Sequence, residues 1–249
     1  MDIKNIIKSD VINYKERPIY GVYFICCMGN YLKIIEEQLN LLLYSGLLDK
    51  TKKIFCYICM YNSNDIQLHK LFFNFYNKIE FFSTPYNLYE KFAINNFKQN
   101  LPQEPYYIYY FHTKGVSKPE NTHWTHRRQI LNYYTISKYE ISIKLLKYYD
   151  AVGVTLFKHP KLHFSGNFWW SKSEHISTLP YQIGNKYLEP EMYLCSNQYG
   201  KYICLSKEED VFLSSNLKNH IHLKDEEILN NMSENVIINT WGLKVIDLC

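Results

Sequence analysis

The chain alternates short apolar runs with amphipathic stretches, and this pattern predicts buried strands joined by helices. Residues 19–27 and 52–60 are almost continuously apolar, as in parallel strands that are covered on both faces. Between them, apolar residues recur at spacings of three and four over residues 31–45, and Gly46 follows where a helix ends. Strand, helix and strand in this order form a βαβ unit, which predicts a parallel sheet with a right-handed crossover.

The same alternation continues along the chain. Asn64 or Asp65 can cap the next helix, and residues 106–111 form a further strand. The other predicted elements are a helix to about residue 76, a strand at 79–83, a helix at 88–100, a long helix at about 124–149 and a strand at 151–157. No linker rich in Pro, Gly or Ser divides the chain, so we predict one α/β domain over residues 1–249 with a mostly parallel sheet flanked by helices.

The strand at 106–111 ends abruptly in a polar tetrad, His112, Thr113, Lys114 and Gly115. Ligands of open α/β sheets bind outside the carboxyl ends of the strands, so this cationic strand end is the first candidate site. The alternative is a solvated turn with Gly115 in the left-handed conformation.

A second basic cluster opens the long helix, where His123, His126, Arg127 and Arg128 lie close together in the sequence. Cations at a helix N-terminus oppose the helix dipole unless an anion binds among them. The pattern therefore indicates either an anion site or an exposed basic first turn.

Trp169 and Trp170 follow Asn167 in the segment GNFWW. Adjacent tryptophans are typical either of a core or of a platform on which a sugar ring stacks. Further along, Glu189 and Glu191 flank Pro190, where a carboxylate can act as a base or cap a helix.

Composition narrows the function classes. The net charge is +4, but the Lys residues are scattered, which disfavours a nucleic-acid binder. The seven Cys lie mostly in apolar runs, and Cys56 and Cys59 point to opposite faces of a strand, so buried reduced thiols are favoured over a metal site. The charged N-terminus and the absence of an apolar stretch of about 18 residues predict a cytoplasmic protein without a signal peptide or membrane span.

Several motifs, taken as a set, resemble a family of small GT-A-type glycosyltransferases of bacterial polysaccharide loci and large DNA viruses. The motifs are FHTKG at 111–115, HRRQILNYY at 126–134, DAVGV at 150–154, HFSGNFWW at 163–170 and PEMYL at 190–194. The resemblance covers residues 19–194. It implies a GT-A-like domain that binds a nucleotide-sugar donor on residues 19–115 and a glycan acceptor on residues 116–249, in the host cytoplasm if the chain is viral.

The resemblance also implies roles for individual residues. Lys114 and Arg127 would stabilise the departing phosphate and His112 would orient it, while Glu191 would be the base and Glu189 its substitute. The expected donor contacts are Asn30, Glu90, Lys114 and Arg128, although helix capping explains Asn30 and Glu90 equally well. The expected sugar and acceptor contacts are Asn167, Trp169, Trp170 and Glu189.

Many GT-A enzymes hold a divalent metal with an Asp-x-Asp at the end of this strand, whereas this chain has His112-x-Lys114. Without a carboxylate in the tetrad, we predict no conventional Mg²⁺ or Mn²⁺ site. His112 together with Asp210, His220 or His222 is the alternative, which leaves metal dependence undecided at this level.

Two rival functions stay open. The missing Asp-x-Asp is compatible with a catalytically silent nucleotide- or sugar-binding domain of the same fold. A single-strand nucleic-acid binder would also use aromatic residues, but a βαβ half sheet is not the usual form of such proteins.

Overall fold

The structure is a computed structural model that describes residues 17–120, 122–206 and, for the backbone alone, 237–238. Asp210, His220 and His222, the alternative metal partners of His112, lie outside the described residues.

A central eight-stranded sheet organises the described chain. Its strands are Ile19–Cys26 (β1), Thr51–Cys59 (β2), Ile79–Thr84 (β3), Tyr107–His112 (β4), Ala151–Gly153 (β5), Trp169–Lys172 (β8), Lys201–Cys204 (β9) and Ile237–Ile238 (β10). Leu156–Phe157 (β6) and His163–Phe164 (β7) form a separate antiparallel pair.

The strand order across the large sheet is β10-β9-β5-β8-β4-β1-β2-β3. β1 pairs in parallel with both β2 and β4, and β2 pairs in parallel with β3. β8 lies antiparallel between β4 and β5. The predicted fold class, a mostly parallel α/β sheet flanked by helices, is confirmed.

The helices lie between the strands in chain order. They are Tyr31–Tyr44 (α1), Leu47–Lys50 (α2), Ile66–Phe72 (α3), Lys91–Ile94 (α4), His123–Asn132 (α5), Tyr139–Leu145 (α6), Ser173–Thr178 (α7) and Glu189–Tyr193 (α8). α1 and its terminal Gly46 match the prediction, and Asp65 caps α3 by accepting a hydrogen bond from the backbone N–H of Leu68.

Three sequence predictions need correction. The helix predicted at 88–100 begins only at Lys91, because Tyr89 has a left-handed φ of 51° that a helix cannot include, and after Ile94 it is followed by a 3₁₀ turn at Phe97–Asn100. The long helix is interrupted by a π-helical turn at Tyr133–Ser137. The strand predicted at 151–157 is divided between β5 and β6, which belong to different sheets.

The core covers both faces of the central sheet with aromatic side chains. Every residue of β1 is buried, and the Tyr23 ring stacks on Phe111 of β4 at 4.1 Å. Cys56 and Cys59 lie in core clusters on opposite faces and are free thiols, which confirms the prediction for this C-x-x-C. Within the described ranges, none of the helices combines the length and apolar character that a membrane span requires.

Candidate active site

The polar tetrad lies at the carboxyl end of β4, beside the end of β1. The backbone N–H of Thr113 donates to Phe24 O at 3.1 Å, and Thr113 Oγ1 accepts from the backbone N–H of Cys26 at 3.1 Å. Gly115 follows with a φ of 77°, which is the left-handed conformation expected of it. The tetrad is therefore an ordered extension of the sheet.

Side chains from α1 and α5 hold the backbone of the tetrad from behind. Gln38 Nε2 donates to His112 O at 2.9 Å, and Arg128 Nη1 donates to Lys114 O at 3.2 Å. Glu37 accepts from Arg128 Nη2 at 3.0 Å and from Asn132 Nδ2 at 2.9 Å. This buried network fixes the direction in which Lys114 leaves the sheet.

The guanidinium of Arg128 is thus engaged by Glu37 and by a backbone carbonyl, and Arg128 is buried. The structure gives Arg128 a positioning role for the tetrad, and its contact with a donor stays a prediction. Burial next to a carboxylate is the usual environment of such an arginine.

His112 is only 7% exposed and its ring packs against Phe168. Its Nε2 lies 2.9 Å from Gly166 O and must carry the proton, because a carbonyl can only accept. Burial, and then the charge of Lys114, lowers the pKa of His112 to about 3, so the ring is neutral at physiological pH. In the structure His112 holds the turn at Gly166, and its contact with a donor phosphate stays a prediction.

Gly166 has a reason to be glycine in this turn. Its φ is 91°, and a Cβ at this position would lie 2.8 Å from Leu131 Cδ1 and 3.3 Å from Lys114 Cε. The turn consequently packs directly against the stem of Lys114.

Glu90 joins the same cluster from the loop after β3. Its Oε2 accepts from Tyr110 OH at 3.0 Å and from Asn167 Nδ2 at 2.6 Å, and its Oε1 lies 3.7 Å from His112 Nε2. Burial raises the pKa of Glu90, and the positive charge of Lys114 opposes that rise. Two hydrogen bonds therefore fix Oε2 of Glu90, and the positive charge of Lys114 acts on the Glu90 carboxylate.

Lys114 and Glu191 form an ion pair across the cluster. Lys114 Nζ lies 3.8 Å from Glu191 Oε1, and His163 Nε2 lies 3.7 Å from Glu191 Oε2. The Lys114 and Glu191 side chains are 16% and 19% exposed, so both keep access to solvent. Burial lowers the pKa of Lys114, while Glu191 and Glu90 raise it.

Arg127 lies next to this pair and is buried. Its Nη2 donates to Ser165 Oγ in the turn between β7 and β8. Burial lowers the pKa of Arg127 and the charge of Glu191 raises it, so Arg127 and Glu191 interact electrostatically. The structure therefore brings together Lys114, Arg127 and Glu191, and the roles that the resemblance implies for them stay predictions.

The predicted sugar platform is wrong. Trp169 and Trp170 are 0% and 1% exposed, and Asn167 is fully buried. Trp169 Nε1 donates to Asn167 Oδ1 at 2.9 Å, and Trp170 Nε1 donates to Thr135 O in the π-helical turn at 2.8 Å. Because Trp169 and Trp170 pack into separate core clusters, both faces of β8 are covered and neither tryptophan presents a ring to a ligand.

Two further predicted contacts lie at the margin of the cluster. Asn30 precedes α1 without capping it, and its buried Oδ1 has no hydrogen-bond partner among the described residues. Glu189 Oε2 accepts from the backbone N–H of Lys186 at 3.1 Å, so its carboxylate closes the loop before α8.

Sequence reasoning missed His163, Ser165 and the supporting pair Glu37 and Gln38. Gln38 did leave a signal, because it lies one turn after Ile34 on the apolar stripe of α1, where a polar residue is unexpected. His163 and Ser165 sit two residues apart beside the GNFWW segment, which places them on one side of an extended chain.

The donor set of the cluster does not fit a hard divalent cation. Mg²⁺ and Mn²⁺ need several oxygen ligands, whereas Glu90 and Glu191 share their space with the ammonium group of Lys114. Across residues 17–120 and 122–206, no three His, Cys, Asp or Glu side chains converge in a way that could hold a metal ion.

No protein-family model and no curated protein matches the chain. Among solved structures, it is similar to 4-diphosphocytidyl-2C-methyl-D-erythritol synthase from Anaerococcus prevotii, with 11% identity, a TM-score of 0.41 and coverage of 73% of this chain and 77% of that one. It is also similar to a mannosyltransferase from Pyrobaculum calidifontis in complex with GDP-Man and Mn²⁺, with 14% identity and a TM-score of 0.42. That likeness covers 74% of this chain and 54% of the mannosyltransferase, about half of its length. Likenesses at this level concern the fold alone.

Proposed function

We propose that the chain is a glycosyltransferase that moves a sugar from a nucleotide-sugar donor to a hydroxyl group of a glycan acceptor. The observation that carries this proposal is the pairing of Lys114 with Glu191, backed by Arg127, at the carboxyl end of β4. The pair offers a cation and a carboxylate in one solvent-accessible place.

The position of the pair supports a ligand site. β1 and β4 are neighbours in the sheet. β2 and β3 lie beyond β1 on one side, and β8 lies beyond β4 on the other. Such a reversal of strand order opens a crevice at the carboxyl ends of the strands, which is where α/β proteins bind nucleotides and related ligands.

The chemistry of the pair supports transfer to an acceptor hydroxyl. In the reaction the bond between the anomeric carbon and the phosphate oxygen breaks with its electrons passing to the diphosphate, and the acceptor oxygen forms the new bond. Lys114 and Arg127 would stabilise the charge on the departing diphosphate. Glu191 would take the proton of the acceptor hydroxyl.

The distance between Lys114 and Glu191 is compatible with one residue stabilising the diphosphate and the other accepting a proton. At 3.8 Å, Lys114 Nζ and Glu191 Oε1 are beyond hydrogen-bonding distance. Glu191 therefore balances the charge of Lys114 without taking one of its N–H donors.

The test compares Lys114→Ala with Lys172→Ala. Lys172 is a matched control because it is 20% exposed and pairs with Asp150 at 2.9 Å, beside the opposite, amino-terminal end of β4. A panel of UDP-, GDP-, CDP- and dTDP-sugars is first screened by thermal shift, and transfer and donor hydrolysis are then measured. We expect Lys114→Ala to lower turnover about a hundredfold or more, and Lys172→Ala to leave it within a few-fold.

Two results would contradict the proposal. Turnover by Lys114→Ala within threefold of the wild-type rate would remove Lys114 from the reaction. Stabilisation by a nucleotide sugar with neither hydrolysis nor transfer would instead identify a catalytically silent binding domain.

A further inference from the structure

Two loops beside the active-site cluster carry tyrosines that face solvent. Tyr86 and Tyr89 lie in the loop after β3 and are 71% and 58% exposed, and Tyr187 lies in the loop before α8 and is 83% exposed. The rings of Tyr89 and Tyr187 contact each other edge to face, with their centroids 6.4 Å apart. The rings of Tyr89 and Tyr187 together form a small apolar surface that faces solvent, which we call the tyrosine rim.

Hydrogen bonds hold both loops of the tyrosine rim in place. Lys91 Nζ donates to Asn185 Oδ1 and so joins one loop to the other. Within the first loop, the backbone N–H of Tyr89 donates to Asn87 Oδ1 at 3.2 Å, and the backbone N–H of Met60 ties the end of β2 to Tyr86 O at 3.3 Å. The rim is thus attached to the sheet on one side and to the second loop on the other.

The backbone of Tyr89 is strained. Its φ of 51° is the left-handed conformation, which a bulky residue rarely adopts and which Gly or Asn would occupy more easily. Strained backbone of this kind persists where the surrounding structure enforces it, and it is concentrated at functional sites. The hydrogen bond to Asn87 helps to hold Tyr89 in a conformation that a tyrosine does not adopt readily.

The rim adjoins the residues proposed to carry the chemistry. Tyr89 directly precedes Glu90, and Tyr187 lies four residues before Glu191. Four residues span at most about 14 Å even when fully extended. Tyr187 and Glu191 are therefore close enough for one oligosaccharide to contact both.

We propose that the tyrosine rim is a carbohydrate subsite, on which a sugar ring of the acceptor stacks. That the bound glycan is an acceptor rests on the proposed function. That the ligand is a carbohydrate rests on the tyrosine rim itself. A tyrosine offers an apolar ring face and a hydroxyl group, which match the C–H face and the hydroxyls of a sugar. The rim replaces the platform that the sequence assigned to the buried Trp169 and Trp170.

The test measures binding to an array of immobilised hexose and N-acetylhexosamine oligosaccharides, without a donor and without turnover. The variants are Tyr89→Asn, which suits the left-handed backbone, and Tyr187→Ala. Tyr44→Ala is the matched control, because Tyr44 on α1 is also 83% exposed. Tyr89→Phe keeps the ring and serves as the rescue variant.

We expect Tyr89→Asn and Tyr187→Ala each to weaken glycan binding about tenfold or more, and Tyr44→Ala to leave it unchanged. Tyr89→Phe keeps the ring face and loses only the hydroxyl, so it should weaken binding less than Tyr89→Asn does. Titration with UDP, GDP and CDP should give the same affinity for every variant. A loss of nucleotide affinity instead would show that the rim stacks a nucleobase and would overturn the proposal.

Equal glycan binding by wild type and Tyr89→Asn/Tyr187→Ala, or no glycan binding by the wild type, would also overturn it. Because the array needs no donor, its result is independent of whether Lys114→Ala affects transfer. A chain that binds glycans through the rim but transfers no sugar would keep this inference and refute the proposed function alone.

Discussion

Replacement of His112 by Gln tests whether a neutral histidine holds the site together. In the folded chain, burial lowers the pKa of His112 to about 3 from its ordinary value of 6.5. The unfolded chain therefore binds a proton over this range that the folded chain does not, and stability falls as the pH is lowered below about 6.5.

The expected loss of unfolding free energy depends on the interval between the pKa values of His112 in the folded and unfolded chain. Each pH unit between the two pKa values costs about 1.4 kcal/mol, so lowering the pH from about 6.5 to about 5 should remove about 2 kcal/mol of unfolding free energy. Protonation would place a second cation beside Lys114, with Glu90 Oε1 at 3.7 Å as its nearest carboxylate oxygen. The raised pKa of Glu90 acts in the opposite sense, because the folded state then binds the proton more tightly as the pH falls.

The assay is urea unfolding followed by far-UV circular dichroism at several values between about pH 7.5 and about pH 5. Gln can still donate to Gly166 O but does not titrate, so His112→Gln should lose about 2 kcal/mol less over this interval than the wild type. His69→Gln, an exposed position on α3, is the control. Parallel pH profiles for the wild type and His112→Gln would refute the claim that His112 is held neutral.

Two predictions concern the active-site base and the core. Glu191→Gln should lower kcat about a hundredfold or more with donor affinity unchanged. The control Glu189→Gln, in the loop that the Glu189 carboxylate closes at Lys186, should keep kcat. Full kcat in Glu191→Gln, measured where chemistry is rate-limiting, would exclude Glu191 as the base. Trp169→Ala should lower the free energy of unfolding by about 3 to 5 kcal/mol, because Trp169 is buried. Trp124→Ala, at a partly exposed position, should lower it much less. Equal losses of unfolding free energy in urea titrations would contradict the burial of Trp169.

The amino-acid sequence by itself determined the parallel half of the sheet. The apolar runs of β1, β2 and β4 and the stripe of α1 are local patterns, and each must be buried wherever the chain places it. The polar tetrad after β4 is likewise local, and the rule that ligands bind at carboxyl strand ends identified Lys114 without any tertiary information.

Only the tertiary structure decided the surroundings of Lys114. The carboxylate of Glu90 and the amide of Asn167 meet although 77 residues separate them, and Glu191 reaches Lys114 from a helix of five residues. Such contacts depend on how distant elements pack, which no local periodicity encodes.

The tryptophan pair shows the physical reason most plainly. In sequence, Trp169 and Trp170 fit a ligand platform as well as a core, because both uses require large aromatic rings. β8 inserts antiparallel between β4 and β5, so one ring faces Tyr110 and the other faces Tyr109 on opposite sides of the sheet. The pairing partners of β8 therefore place both rings in the core, and the aromatic surface beside the site is formed by Tyr89 and Tyr187 instead.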